Sequence, residues 1–179
     1  MTFLYMGIRR SELAGLQWKD INFETGTMHV QRSLHFEPRF GKFYKSTKTE
    51  SSNREITMPD RLLEEYKKYK QWWNENRTYT TKPEYEDAII KSDSGEAYEP
   101  SLFIIWLRKV LKKAGLPEVT LHSIRHTNIS LQLMAGVDIK TVAARAGHSM
   151  ASTTSDIYSH FMRSSDIKAS NIIDNIFDD

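Results

Sequence analysis

Cysteine is absent from the chain of 179 residues. That excludes disulfides, thiolate nucleophiles and thiol-ligated metal sites. Long apolar runs are also missing, so no stretch approaches the length needed to span a bilayer. The first residues, Met1-Thr2-Phe3-Leu4-Tyr5-Met6-Gly7, have no basic n-region and no small-residue cleavage site. A cytoplasmic protein is the expectation. No internal repeat, low-complexity tract or interdomain linker interrupts the sequence, and its length suits one domain with one sizeable core. A charge excess is lacking too: the formal net charge is only +2, too small to define a partner. Its distribution says more. Arg39, Lys42, Lys45 and Lys48 fall in one short stretch, Arg108, Lys109, Lys112 and Lys113 in another, and the tail at 173–179 is acidic. Local basic patches on a near-neutral chain suit an anionic polymer, although each patch alone reads as a solvated surface.

The apolar pattern predicts a mainly α, α+β domain with about seven helices and one small three-stranded antiparallel sheet. Phe3, Leu4 and Met6 form a buried helical face at the start, and the helix resumes at Ser11 and ends near Trp18. Residues 21–30 alternate around Gly26 as a hairpin, with a third strand at 54–58 stopped by Pro59. The polar segment from Lys45 to Ser52 reads as a loop or hairpin tip. Asp60 caps a helix to about Asn76, with Leu62, Leu63, Tyr66, Tyr69 and Trp73 on one side. A short extended piece is expected at 88–91. Helices are further expected from Pro100 to Gly115, from Thr120 to about Ala135, from Asp138 to Gly147, and at 151–160 and 164–177.

Several residues on this frame can carry chemistry. His122 and Arg125 stand at i and i+3 just after an N-cap, so one helical turn offers a positive helix end, an imidazole and a guanidinium together. His126 raises a metal reading, which is rejected because the Glu of the His-Glu-x-x-His pattern is missing. Arg9 has Glu12 three residues on, close enough to orient it by a charge-assisted hydrogen bond, and Arg10 competes for the same role. Lys48 could donate a proton from a polar segment. His148 follows Gly147 at a helix end. Tyr158 is one of eight tyrosines, and its phenol, of ordinary pKa about 10, needs cations or a base to attack phosphorus. Alone, each of these residues has an ordinary structural reading. In order, they are what an enzyme needs to cut a phosphodiester through a tyrosyl-phosphate bond.

The ordered set resembles the catalytic domain of the tyrosine recombinases, the phage-integrase family. Gly7-Ile8-Arg9-Arg10-Ser11-Glu12-Leu13 matches the family's first arginine motif. Thr47-Lys48-Thr49 ahead of Arg54-Glu55-Ile56-Thr57-Met58-Pro59 resembles its hairpin lysine. His122-Ser123-Ile124-Arg125-His126 matches His-x-x-Arg-His, Gly147-His148 matches its Gly-His, and Thr154, Tyr158 and His160 match its tyrosine context. The resemblance implies site-specific DNA recombination by an enzyme of a mobile element. Tyr158 would be the nucleophile, Arg9 and Arg125 the phosphate clamp, Lys48 the proton donor to the leaving oxygen and His122 the acceptor of the tyrosine proton. His148 would add a hydrogen bond. It implies no cofactor and no metal. The implied partners are double-stranded DNA, with Arg39, Lys42, Lys45 and Arg54 as backbone contacts, and other recombinase subunits in a synaptic complex. The segment 164–179 is the expected docking element, because Ile172 with Ile176 and Ile173 with Phe177 give a wide apolar face. Residues 1–179 would be a catalytic domain lacking its first helical segment and its core-binding and arm-binding domains, acting in the cytoplasm at the nucleoid.

Two other readings use part of the same sequence. Residues 138–154 resemble a helix-turn-helix of a non-catalytic regulator. A third possibility is an inactive recombinase fragment.

Overall fold

The computed structural model describes residues 1–46, 52–76, 79–80 and 82–148. Two short helices open the chain, α1 (Thr2–Met6) and α2 (Arg10–Gly15). They are separate because Gly7 takes a left-handed conformation, φ 60°, and caps α1 through its N–H to the Phe3 carbonyl. Ile8 and Arg9 then cross to α2, which starts one residue before the expected Ser11 and ends at Gly15 rather than near Trp18. The early stop has a physical cause. The Leu16 carbonyl accepts from the Ile89 amide at 3.1 Å, and the Trp18 amide donates to the Asp87 carbonyl at 3.0 Å. The backbone that would have continued the helix is instead paired with the expected extended piece, where Gln17 bridges Ala88.

The expected three-stranded sheet is present, in the order β1 (Ile21–Asn22), β2 (Thr27–Val30) and then Arg54–Thr57, all antiparallel. Met28 pairs with Ile21 on one side and Ile56 on the other, and Met28, Val30 and Ile56 are fully buried. Between β2 and the third strand lies a second, two-stranded sheet that the sequence reading missed: β3 (Arg32–Glu37) and β4 (Gly41–Ser46). Arg54–Thr57 is therefore β5. Lys45 belongs to β4, paired with Ser33, and not to a loop. The missed hairpin buries few side chains, with only Leu34 fully enclosed. Its backbone is approached closely by neighbouring elements. A Cβ on Gly15 would come within 2.9 Å of the Arg32 carbonyl, so α2 and β3 meet as closely as they do because that position has no side chain. The Tyr85 hydroxyl donates to the Lys42 carbonyl at 2.6 Å from the other side.

The remaining elements are α3 (Asp60–Asn76), α4 (Leu102–Lys113), α5 (Leu121–Met134) and α6 (Ile139–Ala146). The α3 limits are those expected, with Leu62, Tyr66 and Trp73 buried. Thr120 caps α5 by accepting from the Ser123 amide, and Asp138 caps α6 by accepting from the Lys140 and Thr141 amides. Six α-helices are present among the described residues, against about seven expected. The helices expected at 151–160 and 164–177 lie outside them. No helix among the described residues is long and apolar enough to cross a membrane.

The main core joins α1, α2, the first sheet, α3 and Phe103 of α4. A smaller cluster of Ile129, Leu133, Val142 and Ala146 fastens α6 onto α5. The packing of this second cluster brings the end of α6 beside the first turn of α5. Truncating Leu133 to Ala there would cost about 2–5 kcal/mol by the usual scale for core leucines.

Candidate active site

Arg9 sits in the short crossing between α1 and α2, with extended backbone as the N-cap of α2. Its amide donates to Glu12 Oε2 at 2.8 Å, its Nη1 to Glu12 Oε1 at 2.7 Å and its Nη2 to the Gly147 carbonyl at 2.8 Å. Glu12 thus orients the guanidinium as its spacing suggested. Glu12 is itself buried and serves a second cation: Arg54 Nη2 reaches Oε2 at 3.0 Å and Nη1 reaches Oε1 at 3.2 Å. Burial alone would raise the Glu12 pKa. The hydrogen bond and charge of Arg54, followed by those of Arg9, outweigh it and hold the carboxyl below its ordinary 4.5.

Arg125 comes from the second turn of α5 and is only 5% exposed. It donates through Nη1 to the Gly7 carbonyl, a short contact, and through Nη2 to the Ala146 carbonyl at 2.6 Å. Two of the five guanidinium donors are engaged there. One side chain therefore ties the α1–α2 turn to the end of α6. Asn128, three residues on, adds bonds to the Leu4 and Tyr5 carbonyls at 2.8 and 3.2 Å. Burial lowers the Arg125 pKa to about 10, with Arg9 and Arg54 adding to the effect and Glu12 opposing it. The group stays charged at neutral pH.

His148 follows Gly147, whose φ of 71° ends α6. A Cβ on Gly147 would lie 2.6 Å from Arg54 Nη1, so the absent side chain lets this turn rest on the guanidinium. His148 is pushed down to about 4, first by burial and then by Arg125, Arg9, Arg54 and His126. It is a neutral imidazole at pH 7. His122 lies on the exposed face of α5, and its Nε2 is 2.6 Å from His126 Nε2. His126 is lowered from 6.5 by burial, then by His122 and Arg125.

Arg9, Arg125, His122 and His148 line one cleft of about 740 Å3, together with Arg10 and Arg108. These six side chains come from four separate segments of the chain. With Arg54 beneath them, Arg9 and Arg125 make three guanidiniums that interact with one buried carboxylate, Glu12. That arrangement carries two positive charges in excess, and it suits an oxyanion.

The other sequence-predicted residues separate into three groups. Lys48 and Tyr158 lie outside the described residues, as does the segment 164–179. Arg39, at the tip of the β3–β4 hairpin, and Lys45, exposed on β4, are not among the cleft-lining side chains. Lys42 and Arg54, also expected as backbone contacts, both have partners within the protein. The Lys42 ammonium is paired with Glu96 Oε2 at 2.6 Å and donates to the Ala97 carbonyl at 3.0 Å, fastening the hairpin to the loop before α4. Arg54 is buried beneath the cleft, where its Nε also donates to the Arg145 carbonyl at 2.7 Å. A signal for this was present in the sequence. In a half-buried strand, Arg54 shares its face with Ile56, and period two places both inward.

The sequence profile of the phage integrase family matches residues 1–164. The chain belongs to that family. It is 28% identical over 183 residues to the XerC-like tyrosine recombinase of Caldanaerobacter subterraneus subsp. tengcongensis, covering 96% of this chain and 47% of that protein. It is 32% identical over 148 residues to the tyrosine recombinase XerA of Pyrococcus furiosus, covering 83% and 44%. Its structure resembles that of the Tn1549 transposon integrase in complex with circular intermediate DNA. There the TM-score is 0.78 at 25% identity, covering 87% of this chain and 52% of that one. The chain spans less than half the length of the two recombinases it matches.

Proposed function

We propose that residues 1–179 act as the catalytic domain of a tyrosine recombinase of a mobile element, cutting and rejoining double-stranded DNA in the cytoplasm. The carrying observation is the cleft itself: two arginines and two histidines from distant segments meet over a cationic floor. A regulator built on residues 138–154 would have no need of Arg9 and its Glu12–Arg54 support.

In this reading a DNA phosphate lies against Arg9 and Arg125. Their guanidiniums hold its non-bridging oxygens and stabilise the charge that builds up at the pentacoordinate transition state. The Tyr158 oxygen attacks phosphorus, and its proton passes to His122. The bond from phosphorus to the 5′ oxygen breaks, and Lys48 protonates that oxygen as it leaves. The products are a 3′-phosphotyrosyl link and a free 5′-hydroxyl, and the reverse sequence rejoins the strand. Neutral His148 donates a hydrogen bond to a phosphate oxygen without adding a formal charge. Further subunits would assemble around the DNA through the segment 164–179.

The test is covalent capture. Incubated with a randomised pool of nicked duplexes, the chain should give a protein–DNA adduct that survives a denaturing gel, and Tyr158→Phe should give none. An adduct that persists in Tyr158→Phe would remove the nucleophile assignment. No adduct from the wild-type chain would count against the catalytic reading.

A further inference from the structure

One polar contact at the cleft has no role in the reading above. His126 does not line the cleft, yet its Nε2 lies 2.6 Å from His122 Nε2, with the rings nearly perpendicular and their centroids 4.2 Å apart. The i, i+4 spacing puts both rings on one face of α5. Two Nε2 atoms at that distance cannot both carry a proton or both lack one without repulsion. One must donate and the other accept.

We propose that His126 is a positioning residue for His122. The two imidazoles share one proton through their facing Nε2 atoms, which leaves His122 only its Nδ1 to present to the cleft. This rests on the reading of the cleft as a phosphodiester site. In the resting pair, His122 carries the Nε2 proton and His126 accepts it. When the tyrosine proton arrives at His122 Nδ1, the resulting imidazolium keeps its Nε2–H on His126. The positive charge therefore forms with an acceptor already in place, and no ring has to turn.

The surroundings favour this direction of donation once His122 is protonated, because the second ring is then the one that stays neutral and accepts. His126 is the more enclosed of the two, and burial with the nearby Arg125 charge keeps it neutral. His122 is exposed on the cleft side. The other charged and titratable groups at the cleft are His148 after α6, Arg9 and Arg10 at the start of α2, and Arg108 with Glu118 from α4 and the loop after it. Arg108 and Glu118 approach each other at 4.0 Å. The cations among these groups oppose a second proton on the pair.

Imidazole nitrogen NMR on the full chain, combined with the adduct assay, tests the proposal. In the wild type, His122 should be the Nε2–H tautomer at neutral pH. His126→Phe removes the acceptor, so His122 should become a tautomer mixture. Adduct formation should slow about tenfold, with a displaced acid limb of its pH profile. His126→Gln places an amide where Nε2 stood and should restore both the tautomer and most of the rate. If His126→Phe does not fold, as judged by thermal melting, His126→Asn serves instead, because its shorter amide cannot reach His122. A His122 tautomer unchanged by the folded variant would overturn the proposal, and so would a Gln variant no better than Phe. Loss of all wild-type adduct would contradict the phosphodiester reading, while the NMR comparison would still decide the pairing.

Discussion

Arg9 and Arg125 face the same cleft, but they are held in opposite ways. Arg9 rests on a carboxylate, Glu12, and its side chain is 41% exposed. Arg125 is buried, and its described partners are the backbone carbonyls of Gly7 and Ala146. The first arginine has a carboxylate beside it, shared with Arg54, a bond to the Gly147 carbonyl and a side chain still partly open. The second has its position fixed by two segments and its charge left over. Neutral carbonyls can orient a guanidinium without cancelling it, so Arg125 is the part of the cleft whose field an anion would meet least compensated. Glu12, shared with Arg54, prevents mutual repulsion among the three guanidiniums from opening the site.

The sharpest way to break this contrast is to remove the uncompensated charge. Arg125→Gln should reduce adduct formation by about 10^3-fold, the upper range for loss of one preorganised oxyanion donor. Arg9→Gln should fall short of that, because Arg10 also lines the cleft. Equal losses would show that burial makes no difference between the two. Next in size is Glu12→Gln. Breaking a buried pair while leaving Arg54 enclosed should cost about 3–5 kcal/mol in a denaturant titration. A cost below about 1 kcal/mol would show the network to be dispensable.

A smaller effect follows from the depressed histidine. The folded pKa of His148 is about 4, against an ordinary 6.5. Between those values the unfolded chain binds more protons, so stability should rise with pH across this window and fall as the solution is acidified through it. The lowered carboxyl of Glu12 adds a loss in the same direction at pH values below its ordinary 4.5. A bound anion should reverse the bias on His148, because a neighbouring negative charge favours imidazolium. Sulfate should therefore bind more tightly at pH 5 than at pH 7, as read by thermal shift, and His148→Gln should flatten that slope. The smallest expected change is for Lys42→Met, which breaks the pair with Glu96. It should loosen the hairpin, measurable by hydrogen exchange in β4, and leave sulfate affinity within about twofold, because Lys42 does not line the cleft.

The part of this architecture legible in the sequence is the part written in local chemistry. Thr120 and Asp138 announced α5 and α6 through their caps, and the apolar face of α3 fixed its limits. Glu12 three residues after Arg9 gave the orientation of the first arginine. What stayed hidden depends on long-range backbone pairing. The β3–β4 hairpin encloses only Leu34 fully and relies on Gly15, Tyr85 and Lys42 from elsewhere. The end of α2 depends on the pairing of Leu16 with Ile89. Arg54 looked like a surface cation because its partners, Glu12 and the Arg145 carbonyl, lie far away in the chain. The i, i+4 spacing of His122 and His126 is compatible with facing nitrogens as well as with a metal site.

The most direct measurement is a crystal structure of the chain grown with sulfate. If Arg9 and Arg125 form a phosphate clamp, one tetrahedral anion should sit in the cleft, with donors of both within about 3 Å of its oxygens and the His148 ring against it. An anion bound elsewhere while the cleft stays vacant, or Arg9 turned away from Glu12 into solvent, would contradict it.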